Sequence, residues 1–180
     1  MAKDKVEQLM TRGVATCHPD EGLHEAARIM WEHDCGCVPV VVPDDGSVRV
    51  VGMITDRDVC MAAYTQGRPL YDIPIRSAMN RDVRSCGPRD SIDTALRILA
   101  TSQLHRLPIL DEHEHLVGLL SLADVAREKR RSPGLATDED IAATLGGIDQ
   151  PRGARTLMTA ASSGRADCEP PANVRWQGPA

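Results

Sequence analysis

The chain has 180 residues, 42% of them apolar and 26% charged, with a net charge of −5. That describes one ordinary globular domain or two small ones with a real core. The acidic balance argues against generic nucleic-acid binding, the lack of any ~20-residue apolar run excludes a membrane-spanning helix, and the polar start MAKDKVEQLMTR has no signal-peptide core, so the cytoplasm is expected.

In chain order, Val14 to Cys17 reads as a short extended piece running into Pro19, with Asp20 and Glu21 as early acids of a helix. Leu23, Ala26, Ala27 and Met30 recur at i, i+3, i+4 and i+7, which predicts an amphipathic helix. CVPVVV from Cys37 and VRVVGMI from Val48 are two strands around the turn Pro43-Asp44-Asp45-Gly46. Thr55 is placed to cap a second helix starting near Asp56. Gln66 to Pro74, with Gly67, Pro69 and Pro74, is a link between the two halves of the chain.

The same objects then recur. Val83 to Cys86 leads into Pro88 and Asp90, and Ile92, Ala95, Leu96 and Leu99 repeat the helical pattern. Leu107 to Leu110 and Leu116 to Leu120 flank the polar turn Asp111 to His115, and Ser121 caps a helix from Leu122. After Ser132 the character changes: residues 132–180 hold 6 of the 14 Gly and 5 of the 12 Pro. A short helix fits near 137–145, where Asp138 to Asp140 is acidic and Ile141 and Leu145 are four apart; the rest of the tail reads as mostly disordered.

The recurrence is a duplication. Met10 and Met79 stand 69 residues apart, and that spacing also superposes Val6 on Ile75, Val14 on Val83, Cys17 on Cys86, Pro19 on Pro88, Ala26 on Ala95, Ile29 on Ile98 and Pro39 on Pro108. Past the turn the spacing is 66, placing Gly52 on Gly118, Thr55 on Ser121, Asp58 on Asp124 and Val59 on Val125. Each unit is expected to be β-α-β-β-α, an α+β arrangement with helices on one face of a small sheet. A unit of this size is marginal alone, so the two are expected to pack sheet to sheet around a shared core. The divisions expected are 1–70, 71–131 and a tail, 132–180.

The pattern V-x-T, amphipathic helix, h-P-h-h-D, then G-h-h-[ST]-x-x-D (GMITDRD from Gly52, GLLSLAD from Gly118) resembles the CBS domain. Two in tandem resemble the Bateman module, and the likeness covers roughly Val6 to Lys129. GMITDRD is similar to the ending common in small stand-alone bacterial two-CBS proteins of signalling or stress-response type. The resemblance implies pseudo-twofold packing, a disc-like homodimer, and regulatory binding of an adenosine-containing ligand such as AMP, ADP, ATP, NAD or S-adenosylmethionine. An unknown protein partner would respond to it. The stronger cleft it implies combines Thr16 with His105, Arg106, Leu107, Pro108, Ser121 and Asp124. The weaker combines Ser85 with Cys37, Val38, Thr55, Arg57 and Asp58.

These residue types suit that chemistry. An ionised Asp124 accepts from both ribose hydroxyls, Ser121 lies where helix N–H groups favour an anion, and Arg106 offers a planar fork to phosphate beside His105. Leu107 and Ile109 are candidates for the base pocket. Where the second repeat has His105-Arg106 the first has Gly36-Cys37 and no basic group, so the Arg106 cleft is expected to be the better phosphate site. Asp58 and Asp124 also fit plain helix capping.

Two rival readings stand beside this one: a ligand-free structural or interaction module, and a thiol- or zinc-responsive module using Cys35 and Cys37. Six Cys without a secretion signal read as reduced thiols, with Cys17 and Cys86 in the core and Cys168 exposed in the tail. No metal site is expected, because Cys35 and Cys37 lack a second Cys pair, and His113-Glu114-His115 reads as a solvated turn. Arg127 to Arg131 reads as the basic last turn of a helix. No catalytic constellation is evident, and the chain reads as a non-enzyme. With no Phe, two Tyr and two Trp, the core must be aliphatic and Met-filled.

Overall fold

The structure, a computed structural model, describes residues 5–131 and 138–149. It contains two units of the same design. The first holds α1 (Leu23–Glu32), the hairpin β1 (Cys37–Asp44) and β2 (Ser47–Thr55), and α2 (Asp56–Gln66). The second holds α3 (Ile92–Ser102), the hairpin β3 (Arg106–Leu110) and β4 (Leu116–Ser121), and α4 (Leu122–Arg131); α5 (Asp138–Ile148) comes after it. The α+β architecture of two repeats is as expected, and α5 is a full helix lying on α3.

Each expected leading strand contracts to one residue. Cys17 pairs parallel with Val40, and Cys86 with Ile109. Cys17 N donates to Pro39 O at 3.1 Å, and its carbonyl accepts from Val41 N at 2.9 Å. The next donor of a parallel ladder would be residue 19, or 88 in the second unit. Both are proline, which has no N–H, so the pairing stops there. A bulge interrupts the partner strand, between Val40 and Val41 and between Ile109 and Leu110.

The helices also start later than the prolines suggested. Glu21 and Asp90 serve the turn before the helix, accepting the backbone N–H of His18 and of Gly87, each at 2.7 Å. Helix α3 is capped by Ser91, whose hydroxyl accepts from Thr94 N at 3.1 Å. Helix α2 ends on Gly67 at φ 60°, a left-handed conformation that glycine adopts without a Cβ penalty.

The expected shared core is replaced by two separate ones. One joins Ile92, Ala95, Leu96, Leu99, Leu107, Ile109, Leu120 and Val125; the other joins Leu23, Ala26, Ile29, Val38, Val40, Ile54 and Val59. What links them is an exchange of lead segments. Val6 and Met10, from the first repeat, are buried in the second core, and Ile73 and Ile75, from the start of the second repeat, are buried in the first. Thr11 and Leu119 exchange backbone hydrogen bonds at 2.9 Å in each direction, and Met53 and Asn80 do the same at 2.9 and 2.8 Å.

This exchange explains the glycine that opens each G-x-x-[ST]-x-x-D motif. A Cβ on Gly118 would lie 2.8 Å from Met10 Sδ and 2.9 Å from Thr11 O; one on Gly52 would lie 2.8 Å from Met79 Sδ and 3.0 Å from Asn80 O. Two-stranded hairpins are marginal alone, and here each is completed by a segment that the other repeat supplies.

Candidate functional site

The two motif endings fold identically. Thr55 is the N-cap of α2: its N and Oγ1 donate to Asp58 Oδ2 at 2.9 and 2.6 Å, and Asp58 N donates back to Thr55 Oγ1 at 3.2 Å. Ser121 and Asp124 repeat this at the start of α4, at 3.0, 2.6 and 3.1 Å. Capping by Asp58 and Asp124 is therefore real. It occupies one carboxylate oxygen of each. The other oxygen of Asp124 accepts from Arg127 Nη1 at 2.9 Å, while Oδ1 of Asp58 accepts no hydrogen bond among the described residues.

Strand register gathers each set further. Cys37 pairs with Thr55 and Arg106 with Ser121, and Leu122 N donates to His105 O at 3.2 Å. In each unit the first residue of one strand, the last of the other and a helix N-terminus thus meet at one end of the hairpin. Thr16 and Ser85 are half-buried beside Cys17 and Cys86. The Thr16 hydroxyl makes no hydrogen bond to another described residue, so no direct bond ties it to Ser121 or Asp124.

Arg106 departs from the expected division into two clefts. Arg106 is half-buried, and its guanidinium lies beside Cys37, close enough to favour the thiolate. A Cβ on Gly36 would stand 3.6 Å from Arg106 Nη1 and 3.2 Å from Asp56 Oδ2. Cys37 and Arg106 are equivalent positions of the two repeats, so their contact places them at the pseudo-twofold axis. The basic group that the first repeat lacks is supplied from across that axis. Arg106 makes no ion pair with a carboxylate among the described residues, which leaves most of its donors available to an anion.

Two expected side chains are elsewhere. Leu107 and Val38 are both 0% exposed, as is Ile109. They belong to the two cores, packed with residues of the first helix of each unit. Pro108 is buried; His105 and Arg57 are exposed.

The thiols are protected ones. Burial pushes Cys17 and Cys86 up to about 12, with the nearby Glu21 and Asp90 carboxylates adding to the shift. Cys37 is pushed up to about 11 by burial, against the pull of Arg106. Neutral thiols are poor ligands and nucleophiles. Cys35 is half-buried and Cys60 exposed, while Cys168 lies outside the described residues.

The turn at His113 and His115 is not simply solvated. Asp111 Oδ1 accepts both of their backbone N–H groups at 2.9 Å, and these bonds, that of His115 foremost, hold its carboxyl below the usual range. His115 bridges to Arg49 of the other hairpin, with Nε2 3.6 Å from Asp44 and Nδ1 3.5 Å from Asp111. The two repeats therefore also touch through their turns. Among the described residues no group of three or more His, Cys, Asp or Glu is placed to hold a metal ion, and no helix is long and apolar enough to cross a membrane.

Comparison with known proteins agrees with this geometry. The CBS domain family profile matches residues 6–64 and 72–131. A CBS domain-containing protein of Bacillus subtilis, YhcV, is 37% identical over 121 residues, 67% of this chain and 82% of that protein. The crystal structure of Hypoxic Response Protein I with two coordinated zinc ions has TM-score 0.61 at 30% identity, covering 68% of this chain and 97% of that one. The CBS domain pair of protein MJ0100, in complex with 5′-methylthioadenosine and S-adenosyl-L-methionine, shares the fold with TM-score 0.61 at 22% identity, covering 71% and 96%. The chain belongs to the CBS domain family, as a tandem pair of the regulatory kind.

Proposed function

We propose that this CBS pair senses an adenosine-containing ligand, of the AMP, ADP, ATP or NAD type, and passes occupancy to a protein partner. The observation that carries the reading is Arg106: a half-buried guanidinium without a carboxylate partner among the described residues, on the strand that pairs with Ser121 and beside two capped helix N-termini. Helix N-termini and an unpaired arginine both favour phosphate. Asp58, with one uncommitted oxygen, suits a ribose diol. The ligands of the MJ0100 pair support an adenosine moiety. The stronger cleft is assigned Thr16, His105, Arg106, Pro108, Ser121 and Asp124, and the weaker Ser85, Cys37, Thr55, Arg57 and Asp58. In this reading the repeats run 1–70 and 71–131, the protein acts in the cytoplasm, and it carries no catalytic centre.

A ligand can act only through different affinities for two states. Arg106 supplies the means, because an anion that draws its guanidinium away from Cys37 changes the contact between the repeats. A thermal-shift panel of AMP, ADP, ATP, NAD and S-adenosylmethionine tests the reading. A ligand at ~100 times its dissociation constant adds about 2.7 kcal/mol of stability. No shift with any of them would leave a ligand-free interaction module.

A zinc-responsive module is the second reading, supported by the two zinc ions of Hypoxic Response Protein I. Against it stand the neutral Cys37 and the guanidinium beside it, which repels a cation. Metal analysis of protein purified without chelator decides: zinc near one equivalent per chain favours it.

A further inference from the structure

The first repeat meets Arg106 with a carboxylate that the second repeat lacks. Where each hairpin joins its second helix the same backbone bond recurs: Asp56 N donates to Gly36 O, and Leu122 N to His105 O, both at 3.2 Å. The backbones match and the side chains do not, since the 66- and 69-residue spacings set Asp56 on Leu122 and Gly36 on His105. Oδ1 of Asp56 accepts the backbone N–H of Arg57 at 2.7 Å. Its Oδ2 faces Gly36, 3.2 Å from where a Cβ would stand, and Arg106 Nη1, arriving from the other repeat, is 3.6 Å from that same point.

Carboxylate and guanidinium are therefore at most the sum of these two distances apart, yet Arg106 pairs with no carboxylate among the described residues. That is well inside a Debye length at ordinary salt, about 10 Å, so an anion held by Arg106 also meets the field of Asp56. Cys37 registers both charges: burial pushes this thiol up, Arg106 pulls it down and Asp56 pushes it up.

The charges at this corner decide which anions fit. Arg57 and Asp58, which follow on α2, contribute one of each sign, so Asp56 offsets Arg106. The positive N-terminus of α2 is already met by the carboxylates of Asp56 and Asp58 in its first turn. A single phosphate still gains the fork of one guanidinium. A second or third phosphate adds negative charge where no further cation is in surplus.

From this asymmetry we infer that Asp56 is the charge selector of the Arg106 cleft, admitting an adenosine ligand with one phosphate or none and disfavouring di- and triphosphates. The inference rests on the adenosine reading above and narrows it.

Calorimetric titration of adenosine, AMP and ATP into wild type and Asp56→Asn tests it, in magnesium-free buffer at about 0.02 M ionic strength. Asparagine keeps the oxygen that accepts from Arg57 N and removes the charge. The wild type is expected to bind AMP at least ~10-fold more tightly than ATP. Asp56→Asn should strengthen ATP binding ~10-fold, AMP binding ~3-fold and adenosine binding not at all, and about 0.5 M salt should erase these differences. Asp56→Leu, which imports the residue of the second repeat, should give the same ranking. A wild type that prefers ATP, or affinities that shift equally for all three ligands, would overturn the inference and leave the adenosine reading standing. If none of the three binds either protein, both fall. ATP binding that emerges only in Asp56→Asn supports both.

Discussion

Replacing Gly118 by alanine tests the exchange of lead segments at its tightest point. The new Cβ would meet Met10 Sδ at 2.8 Å and Thr11 O at 2.9 Å. The thioether can swing aside, but the carbonyl cannot, because Thr11 and Leu119 bond each other in both directions. Overpacking of this kind costs ~1–3 kcal/mol, and straining the two bonds adds ~0.5–1.5 kcal/mol each. Alanine recovers ~0.4–1 kcal/mol through the unfolded chain. The net expectation is a loss of about 3 kcal/mol, within a range of about 1–5 kcal/mol.

Urea unfolding with an unchanged m-value reads that loss directly. Gly52→Ala should behave alike, since Met79 and Asn80 crowd it in the same way. Gly146→Ala is the opposite control. It lies inside α5 with nothing within 4 Å, so it should stabilise by ~0.5–1 kcal/mol through helix propensity. A Gly118→Ala protein within ~0.5 kcal/mol of wild type would refute the exchange as the reason for this glycine.

Other consequences are accessible to simple measurements. Asp124→Ala removes the reciprocal cap of α4 and should cost ~1–2 kcal/mol in urea unfolding. A thiol reagent at pH 8 should modify Cys60 rapidly in native protein, whereas Cys17, Cys37 and Cys86 should react only at the rate of opening. The raised thiols also set a pH dependence. Below about pH 9 they are protonated whether the chain is folded or not. Above it the unfolded chain loses these protons first, so stability should fall between about pH 9 and 12. Cys17→Ala with Cys86→Ala should flatten that decline.

Much of the architecture is legible in the residues because it rests on local periodicity. Leu23, Ala26 and Met30, and Ile92, Ala95 and Leu99, report their helices at period 3.6, and Thr55 with Asp58 reports a helix start through chemistry confined to four residues. What fails is information that two distant segments hold jointly. Val6 aligns with Ile75 and Met10 with Met79, yet alignment identifies equivalent positions and not the core each one enters. Val14 and Val83 suggest longer leading strands, but Pro19 and Pro88 remove the donors that a longer ladder needs.

The site shows the same boundary. The capping residues are visible in the sequence, as is the contrast between His105-Arg106 and Gly36-Cys37. That Arg106 reaches across to Cys37 is not, although equivalent positions near a pseudo-twofold axis are the ones that meet. That the side chains of Leu107 and Val38 belong to the cores is not legible either, because the motif does not say which face of the strand is buried.

Calorimetric titration of AMP into the wild type and Arg106→Ala tests the sensing role most directly. Loss of a charge-assisted contact should weaken binding by ~1.5–3 kcal/mol, about 10- to 150-fold. Equal affinities would remove Arg106 from the site, and no heat from the wild type at millimolar AMP would contradict the reading of this CBS pair as an AMP sensor.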